Sequence, residues 1–177
     1  MSTVISIPHA KEPDGDPGAV LFSQELESTM ELRGVSNYIV KGNSPKTMLD
    51  LSTHQAKGTN YNSELSSSLG VATYHVELHS FDDNHESYSG NDFVIGKISG
   101  YTDDSMAQRF VNSIDNYATT SIEEVKPEQH YSSTLSEFVY RIPSLILYIN
   151  EDSIDYHSPV AGVVADFAAE YEDHKTS

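Results

Sequence analysis

Three side chains with metal-binding chemistry alternate along one short stretch of the sequence. They are His75, Glu77 and His79, each separated from the next by a single apolar residue. In a β-strand this spacing puts all three on one face, at steps of about 6.5–7 Å. Imidazole and carboxylate groups are suitable ligands for Zn²⁺ or Fe²⁺. The pattern therefore allows a metal-dependent enzyme that uses His75, Glu77 and His79 as its ligands.

The same alternation has a simpler explanation, in which the three side chains contact solvent. Apolar or aromatic residues occupy the intervening positions from Tyr74 to Leu78. That period of two is typical of an antiparallel hairpin with one buried face and one wet face. Ligands on one straight strand also rarely converge on a single ion unless the strand carries a bulge. We therefore predict an exposed polar face, with no bound metal, no cofactor and no catalytic residue.

No local signature of a known catalytic motif is present in the sequence. The chain has no Cys, which excludes a thiol nucleophile, a disulfide framework and a zinc site built on thiolates. A nucleophile elbow of the G-x-S-x-G type, a phosphate-binding loop and an H-E-x-x-H zinc motif are all missing. The sequence thus predicts a protein that is not an enzyme.

The charge of the chain is strongly one-sided. The sequence of 177 residues holds 27 acidic and 10 basic residues, which gives a formal net charge of −17. Such a charge argues against specific nucleic-acid binding, because phosphates need clustered Lys and Arg. Three explanations stay open: an acidic surface screened by a salty or halophilic host cytoplasm, a surface that DNA passes without binding, and mimicry of DNA by an inhibitor.

Hydrophobic periodicity predicts the elements that position these residues. Strands are expected at 71–79, 93–99 and 144–150, and amphipathic helices at 103–118 and 159–172. The predicted fold class is α+β, a mainly antiparallel β-sheet flanked by two amphipathic helices, with long polar loops.

Domain boundaries follow from the turn-rich and polar segments. Residues 1–18 are predicted as an extended N-terminal arm, and residues 19–177 as a single domain with a long loop at about 41–70. The segment 20–40 favours strands over a helix, while 134–143 fits a strand or a helix turn equally well.

Long arms and a lean core favour a protein that is stabilised by its neighbours. We predict a non-enzymatic structural subunit that forms a ring or other homo-oligomer. The expected setting is a virion tail or neck (connector, terminator or tube), assembled in the host cytoplasm, with an acidic surface that repels DNA. The candidate interface residues are Leu145, Leu147, Ile149, Val160, Val164 and Phe167. The alternatives are the metal-dependent enzyme and the acidic DNA-mimic inhibitor.

No membrane contact is expected. The longest apolar run, Leu145–Ile149, is far too short to cross a bilayer, and the first ten residues lack the pattern of a signal peptide.

Overall fold

A six-stranded β-sheet forms the centre of the molecule. The computed structural model describes residues 2–11, 15–98 and 104–176, without the side chains of 104–105 and 173–176. The strands are β1 (Ser2–Ile7), β2 (Asn37–Lys41), β3 (Ala72–Phe81), β4 (Phe93–Ile98), β5 (Thr120–Val125) and β6 (Ser144–Asn150). Their order in the sheet is β2-β1-β3-β6-β4-β5. Every neighbouring pair is parallel except β4 with β6.

Helices connect most of the strands and cover both faces of the sheet. They are α1 (Pro17–Leu32), α2 (Asn60–Leu69), α3 (Asp104–Ile114), α4 (Tyr131–Thr134) and α5 (His157–Thr176). A π-helical turn, Leu135–Val139, continues α4, and short 3₁₀ turns occur at His54–Ala56, Pro127–Gln129 and Ile154–Tyr156. Parallel neighbours need such crossovers, because a two-residue hairpin can join only antiparallel strands.

The larger core lies between one face of the sheet and α1, α3 and α5. Pro17 starts α1 at a position where its fixed φ suits a helix and its missing N–H costs nothing. Phe22, Leu26 and Met30 then recur at helical spacing and are fully buried. They pack with the apolar side chains of β3 that point to the same face.

A smaller core lies on the opposite face of the sheet. Tyr61, Leu65 and Leu69 of α2 are buried there against Val4 of β1. The segment 127–142 covers another part of this face, over β3 and β6. A sheet with parallel strands is normally covered on both faces, and this one follows that rule.

The predicted fold class is wrong, although the three predicted strands and the two helices are confirmed as elements. The chain is an α/β protein with a mostly parallel sheet. The strands predicted at 71–79 and 93–99 do not pair as a hairpin, because β6 lies between β3 and β4. Alternation along a strand reports only that its two faces differ, and it does not fix the direction of the neighbouring strand.

The segments expected to be arm and loop instead contain regular structure. Within 1–18, the residues Ser2–Ile7 form β1 and lie between β2 and β3 (residues 1 and 12–14 are outside the described part of the chain). The segment 20–40 is mainly α1 rather than strands, and α2 occupies the end of 41–70. Residue 103, the first of the helix predicted at 103–118, and residue 99, the last of the strand predicted at 93–99, also lie outside the described residues.

The six candidate interface residues are all buried within this single chain. They belong to the larger core, and none exposes more than 6% of its surface: Leu145, Leu147, Ile149, Val160, Val164 and Phe167. They therefore stabilise the chain itself, and the expected ring or homo-oligomer stays a prediction. Among the described residues, no helix combines the length and apolar character that crossing a membrane requires.

Candidate metal centre

Polar side chains from distant parts of the sequence meet at one edge of the sheet. The carboxyl ends of β1, β3 and β6 lie at this edge, which is where α/β proteins usually bind ligands. His9 follows β1, His79 lies near the end of β3 and Tyr148 near the end of β6. They border a cleft of about 400 Å³, whose lining is His9, Asp16, Lys46, Asp50, Ser52, His79, Ser80, Phe81, His85, Tyr88, Gln129 and Tyr148.

Two imidazoles and one carboxylate converge in this cleft. The Oδ2 atom of Asp16 lies 3.4 Å from Nδ1 of His9 and 3.4 Å from Nδ1 of His79. One ligand atom from each of the three residues lies within 4.8 Å of the other two. All three side chains are largely buried, with exposed fractions of 8%, 17% and 6% for His9, Asp16 and His79.

The side chain of Asp16 does not cap the helix that begins after it. It occupies the N-cap position of α1, where an Asp side chain normally accepts a hydrogen bond from a free backbone N–H. Here the side chain makes no capping hydrogen bond and faces the two imidazoles instead. Helix α1 therefore lacks the stabilisation of a capping side chain, and the Asp16 carboxylate lies in the cleft instead.

His9, Asp16 and His79 are called the metal centre below. The ring nitrogen of each histidine that is farther from Asp16 contacts a second carboxylate. Nε2 of His9 lies 2.7 Å from Oδ1 of Asp50, whose oxygen also accepts a hydrogen bond of 2.6 Å from the Ser52 hydroxyl. Nε2 of His79 lies 2.6 Å from Oε2 of Glu77. A carboxylate on the far nitrogen is the usual partner of a histidine that binds a metal, because it fixes the tautomer and the ring orientation.

The donor set fits a divalent transition metal ion. Nδ1 of His9, Nδ1 of His79 and a carboxylate oxygen of Asp16 supply nitrogen and oxygen ligands of the kind that Zn²⁺ takes at catalytic sites. Three ligands from the protein leave a coordination position for water or substrate. The second cluster of potential ligands, Glu77, His79 and His130, fits less well because the Glu77 oxygens are already engaged within the protein.

Glu77 is a fully buried carboxylate with every oxygen satisfied. Its Oε2 accepts from His79 and His130, and its Oε1 accepts from the backbone N–H and the hydroxyl of Ser133, at 3.1 and 3.0 Å. Burial alone would raise the pKa of Glu77, but the charge and hydrogen bonds of the two imidazoles outweigh it and hold the pKa well below the usual value.

The electrostatics of the centre favour a positive charge. Burial disfavours the charged forms of both Asp16 and His79, but the interaction between the two side chains outweighs burial. Hydrogen bonds with His79 and His9 lower the pKa of Asp16 to about 2, although burial raises it. Hydrogen bonds to Asp16 and Glu77 raise the pKa of His79 to about 9, although burial lowers it. The pocket therefore attracts a cation.

The triplet predicted from the sequence divides into three different roles. His79 lies in the centre, and Glu77 lies behind it as a hydrogen-bond acceptor. His75 lies farther along β3, with its two ring nitrogens 2.8 Å from the hydroxyls of Ser6 and Ser144. Burial lowers the pKa of His75 to about 4, against a smaller opposing effect of Glu77. The expected wet face is wrong, since the segment 127–142 covers it.

Sequence reasoning missed His9, Asp16, Asp50 and His130. His9 and Asp16 border a Gly- and Pro-rich turn directly before a helix, a pattern that marks a ligand site only if the preceding strand belongs to a parallel sheet. The prediction of an N-terminal arm removed that context. Asp50 and His130 lie in segments predicted as polar connections, and no local spacing links them to β3.

Comparison with known proteins identifies the fold. No family model and no curated protein matches the sequence. Among solved structures, an N-formylglutamate amidohydrolase from Ralstonia eutropha superposes with a TM-score of 0.64 at 12% identity, over 98% of this chain and 95% of that chain. A gene product of Agrobacterium tumefaciens gives 0.66 at 12% identity, over 99% and 91%. The chain shares their fold.

The catalytic domain of a bacterial amidase has a similar architecture. The catalytic domain of the N-acetylmuramoyl-L-alanine amidase CwlV from Paenibacillus polymyxa superposes with a TM-score of 0.57 at 18% identity, over 98% of this chain and 99% of that domain. Two of these three structures are thus an amidohydrolase and an amidase. The predictions of a virion tail or neck subunit and of a non-enzymatic protein are therefore wrong, and the fold favours the alternative of an enzyme.

Proposed function

We propose that the protein is a metal-dependent hydrolase that cleaves an amide bond, with His9, Asp16 and His79 as the ligands of Zn²⁺ or a similar divalent ion. The observation that carries this proposal is the convergence of two imidazoles and a carboxylate in a cleft, with Asp50 and Glu77 behind the imidazoles. The likeness of the fold to amidohydrolases and amidases supports amides as the substrate class.

Each residue of the centre has a role that its chemistry allows. His9, Asp16 and His79 bind the ion, and Asp50 and Glu77 orient the two imidazoles so that Nδ1 faces the cleft. A bound ion of this kind polarises a carbonyl group and lowers the pKa of a bound water molecule. The largely buried position of the ligands limits access of bulk water and strengthens the electrostatic interactions with a substrate.

The cleft sets the size and polarity of the substrate. A volume of about 400 Å³ is in the range of sites for small molecules and is too small for a folded partner. The lining includes the aromatic rings of Tyr148, Tyr88 and His85, which contact one another in series. It also includes polar groups such as Lys46 and Gln129. An amide that carries both apolar and polar substituents suits this mixed lining.

The proposal is tested first by metal content and affinity. We expect the purified chain to bind one Zn²⁺ per molecule, measured by elemental analysis and by competition with a chromophoric chelator. The Asp16→Asn and His79→Ala variants should each bind at least about 10-fold more weakly. His54→Ala, which removes an exposed histidine outside the cleft, is the matched control and should bind as the wild type does.

Activity is then tested on the zinc-loaded protein. The panel contains N-formyl and N-acetyl amino acids, including N-formylglutamate, and an N-acetylmuramoyl peptide, with release of the free amine as the readout. Hydrolysis that is lost in Asp16→Asn and kept in His54→Ala supports the proposal. A chain that binds no zinc, or whose hydrolysis survives removal of Asp16 and His79, contradicts it.

A further inference from the structure

Two residues of the segment between β3 and β4 stack on each other at the border of the cleft. The ring centroids of His85 and Tyr88 lie 4.2 Å apart, and the angle between the ring planes is 11°. Both residues line the cleft, and His85 is exposed. An exposed ring at the border of a cleft can contact a bound molecule directly. His85 and Tyr88, called the stacked pair below, are therefore placed to recognise part of a substrate.

The backbone of this segment fixes the orientation of the His85 ring. Nδ1 of His85 accepts hydrogen bonds from the backbone N–H groups of Ser87 and Tyr88, at 3.2 and 3.1 Å. The segment is also joined to the sheet, because the side-chain NH₂ group of Asn150 in β6 donates to the carbonyl oxygen of Asn91 at 2.9 Å. A ring that is held before a ligand arrives loses little conformational freedom when the ligand binds.

The neighbouring rings leave one face of His85 uncovered. Tyr88 covers the other face. The centroid of the Phe81 ring lies 6.0 Å from that of His85 and 5.5 Å from that of Tyr88. These similar distances place Phe81 beside the stacked pair, because a ring beyond His85 would lie much farther from Tyr88. Since the Nδ1 edge of His85 contacts the backbone, the surface that His85 contributes to the cleft includes its free face.

Ring contacts also connect the stacked pair to the metal centre. The centroids of Tyr88 and Tyr148 lie 5.2 Å apart, and those of Tyr148 and His79 lie 5.0 Å apart. His79 is a proposed ligand of the ion, so the stacked pair is separated from a ligand by one ring. A small amide whose carbonyl oxygen contacts the ion can therefore extend a substituent to His85.

We propose that the free face of His85, supported by Tyr88, binds an aromatic ring of the substrate, which makes His85 a specificity-determining residue. The inference rests on the proposed hydrolase function and deepens it, because it names the substituent: the preferred amides carry a phenyl or similar flat ring near the scissile bond. Aromatic rings attract each other in offset-stacked arrangements beyond the effect of burying their surface. A saturated ring of similar size also buries apolar surface but lacks this attraction.

The test uses two metal-binding probes that differ only in their ring. Benzohydroxamic acid carries a flat phenyl ring, and cyclohexanecarbohydroxamic acid carries a saturated ring. Calorimetry with the zinc-loaded protein gives the ratio of the two affinities. Comparing this ratio between variants cancels the difference in how strongly the two probes bind zinc itself. We expect His85→Asn to lower the phenyl-to-cyclohexyl ratio about 5-fold, the value of one aromatic pair. The Asn oxygen can accept the same backbone N–H groups as Nδ1, so the segment keeps its conformation.

Two further measurements separate recognition from a structural role. Tyr88→Phe keeps the ring that supports His85 and should keep the wild-type ratio, whereas Tyr88→Leu removes that ring and should lower the ratio. Proton NMR reports stacking directly: benzohydroxamic acid should shift the His85 ring resonances upfield, and the cyclohexyl probe should not. Circular dichroism and thermal unfolding verify that each variant folds.

Each failure identifies which proposal is wrong. If zinc binds but His85→Asn leaves the ratio unchanged, or the His85 resonances do not shift, no aromatic ring stacks on His85, and the hydrolase proposal stands. If His85→Asn weakens both probes equally, the site responds to apolar burial alone, and the inference is likewise overturned. Absence of zinc binding overturns both proposals.

Discussion

Glu77 is not a proposed ligand, but it accepts hydrogen bonds from several residues around the metal centre. Its carboxylate has no exposed surface and accepts four hydrogen bonds, from His79, His130 and Ser133. An ionised carboxylate in such a place is stable only while these partners remain, because burying an unpaired charge costs several kcal/mol. The orientation of His79 thus depends on a residue that never contacts the cleft.

Replacement of Glu77 by Gln tests this dependence. The amide keeps the shape of the side chain, but its NH₂ group must face either the two imidazoles or the Ser133 donors, so at least one hydrogen bond becomes a repulsion. We expect Zn²⁺ affinity to fall 10- to 100-fold and the free energy of unfolding to fall by about 3 kcal/mol. Chelator competition and denaturant titration measure the two effects. Glu128→Gln, at an exposed position, should change neither.

His75 predicts a pH dependence of stability. Its pKa falls from 6.5 to about 4 on folding, mainly through burial, so the unfolded chain binds a proton at a pH where the folded chain does not. The stabilisation is complete above pH 6.5 and is lost progressively as the pH falls toward 4. Between pH 6.5 and 5 the contribution amounts to about 2 kcal/mol. Urea unfolding at both pH values should show a smaller loss in His75→Gln, whose amide can bond to Ser6 and Ser144; an unchanged loss contradicts the assignment.

At the scale of elements, strand β3 shows how far the sequence alone can go. Its alternation correctly predicts a strand with His75, Glu77 and His79 on one face. The environment of that face could not be predicted, because the first half of the covering segment, 127–134, is polar and begins at Pro127, which are features of an exposed connection. Its second half fits a strand or a helix turn equally well, so its position could not be predicted either. A polar strand face and a polar cover satisfy each other through hydrogen bonds, and hydrophobic periodicity does not detect that kind of burial.

The loop after β2 predicts a second effect at this scale. Gly42 donates its N–H to the Ile7 carbonyl at 2.9 Å, and a Cβ atom on it would lie 1.9 Å from the carbonyl oxygen of Pro8. Gly42→Ala must therefore displace the segment directly after β1, which contains Pro8 and His9. We expect a loss of about 2 kcal/mol in stability, together with weaker Zn²⁺ binding.

A second glycine provides the matched control. Around Gly70, at the end of α2, the nearest atom to an added Cβ would be 3.5 Å away, and the backbone conformation is helical. Gly70→Ala should change stability by less than about 0.5 kcal/mol and leave metal affinity unchanged. Equal effects of the two substitutions would show that the close approach at Gly42 does not position His9.

At the scale of the whole molecule, the centre is a consequence of parallel topology. The residues of the centre lie up to 121 positions apart in the sequence, and the parallel arrangement of β1, β3 and β6 brings them to one edge: His9, Asp16, Asp50, His79 and His130. The sequence predicts individual strands and helices because their patterns are local. Strand order depends on which faces pack together over the entire chain, and no local pattern specifies that choice.

The net charge of −17 is also a property of the whole molecule, and it predicts a response to salt. Self-repulsion among the acidic groups destabilises the compact state. Raising a 1:1 salt from about 0.01 M to 1 M shortens the screening length from about 30 Å to about 3 Å, which removes most of that repulsion. We expect the Tm to rise by about 5 °C, equivalent to roughly 1–2 kcal/mol, in calorimetry with a chelator present so that the metal centre does not contribute.

Sodium chloride and choline chloride should act equally, because screening is insensitive to the identity of the cation. A rise with sodium alone would instead indicate specific cation binding, and a constant Tm would show that the acidic groups are too far apart to repel one another.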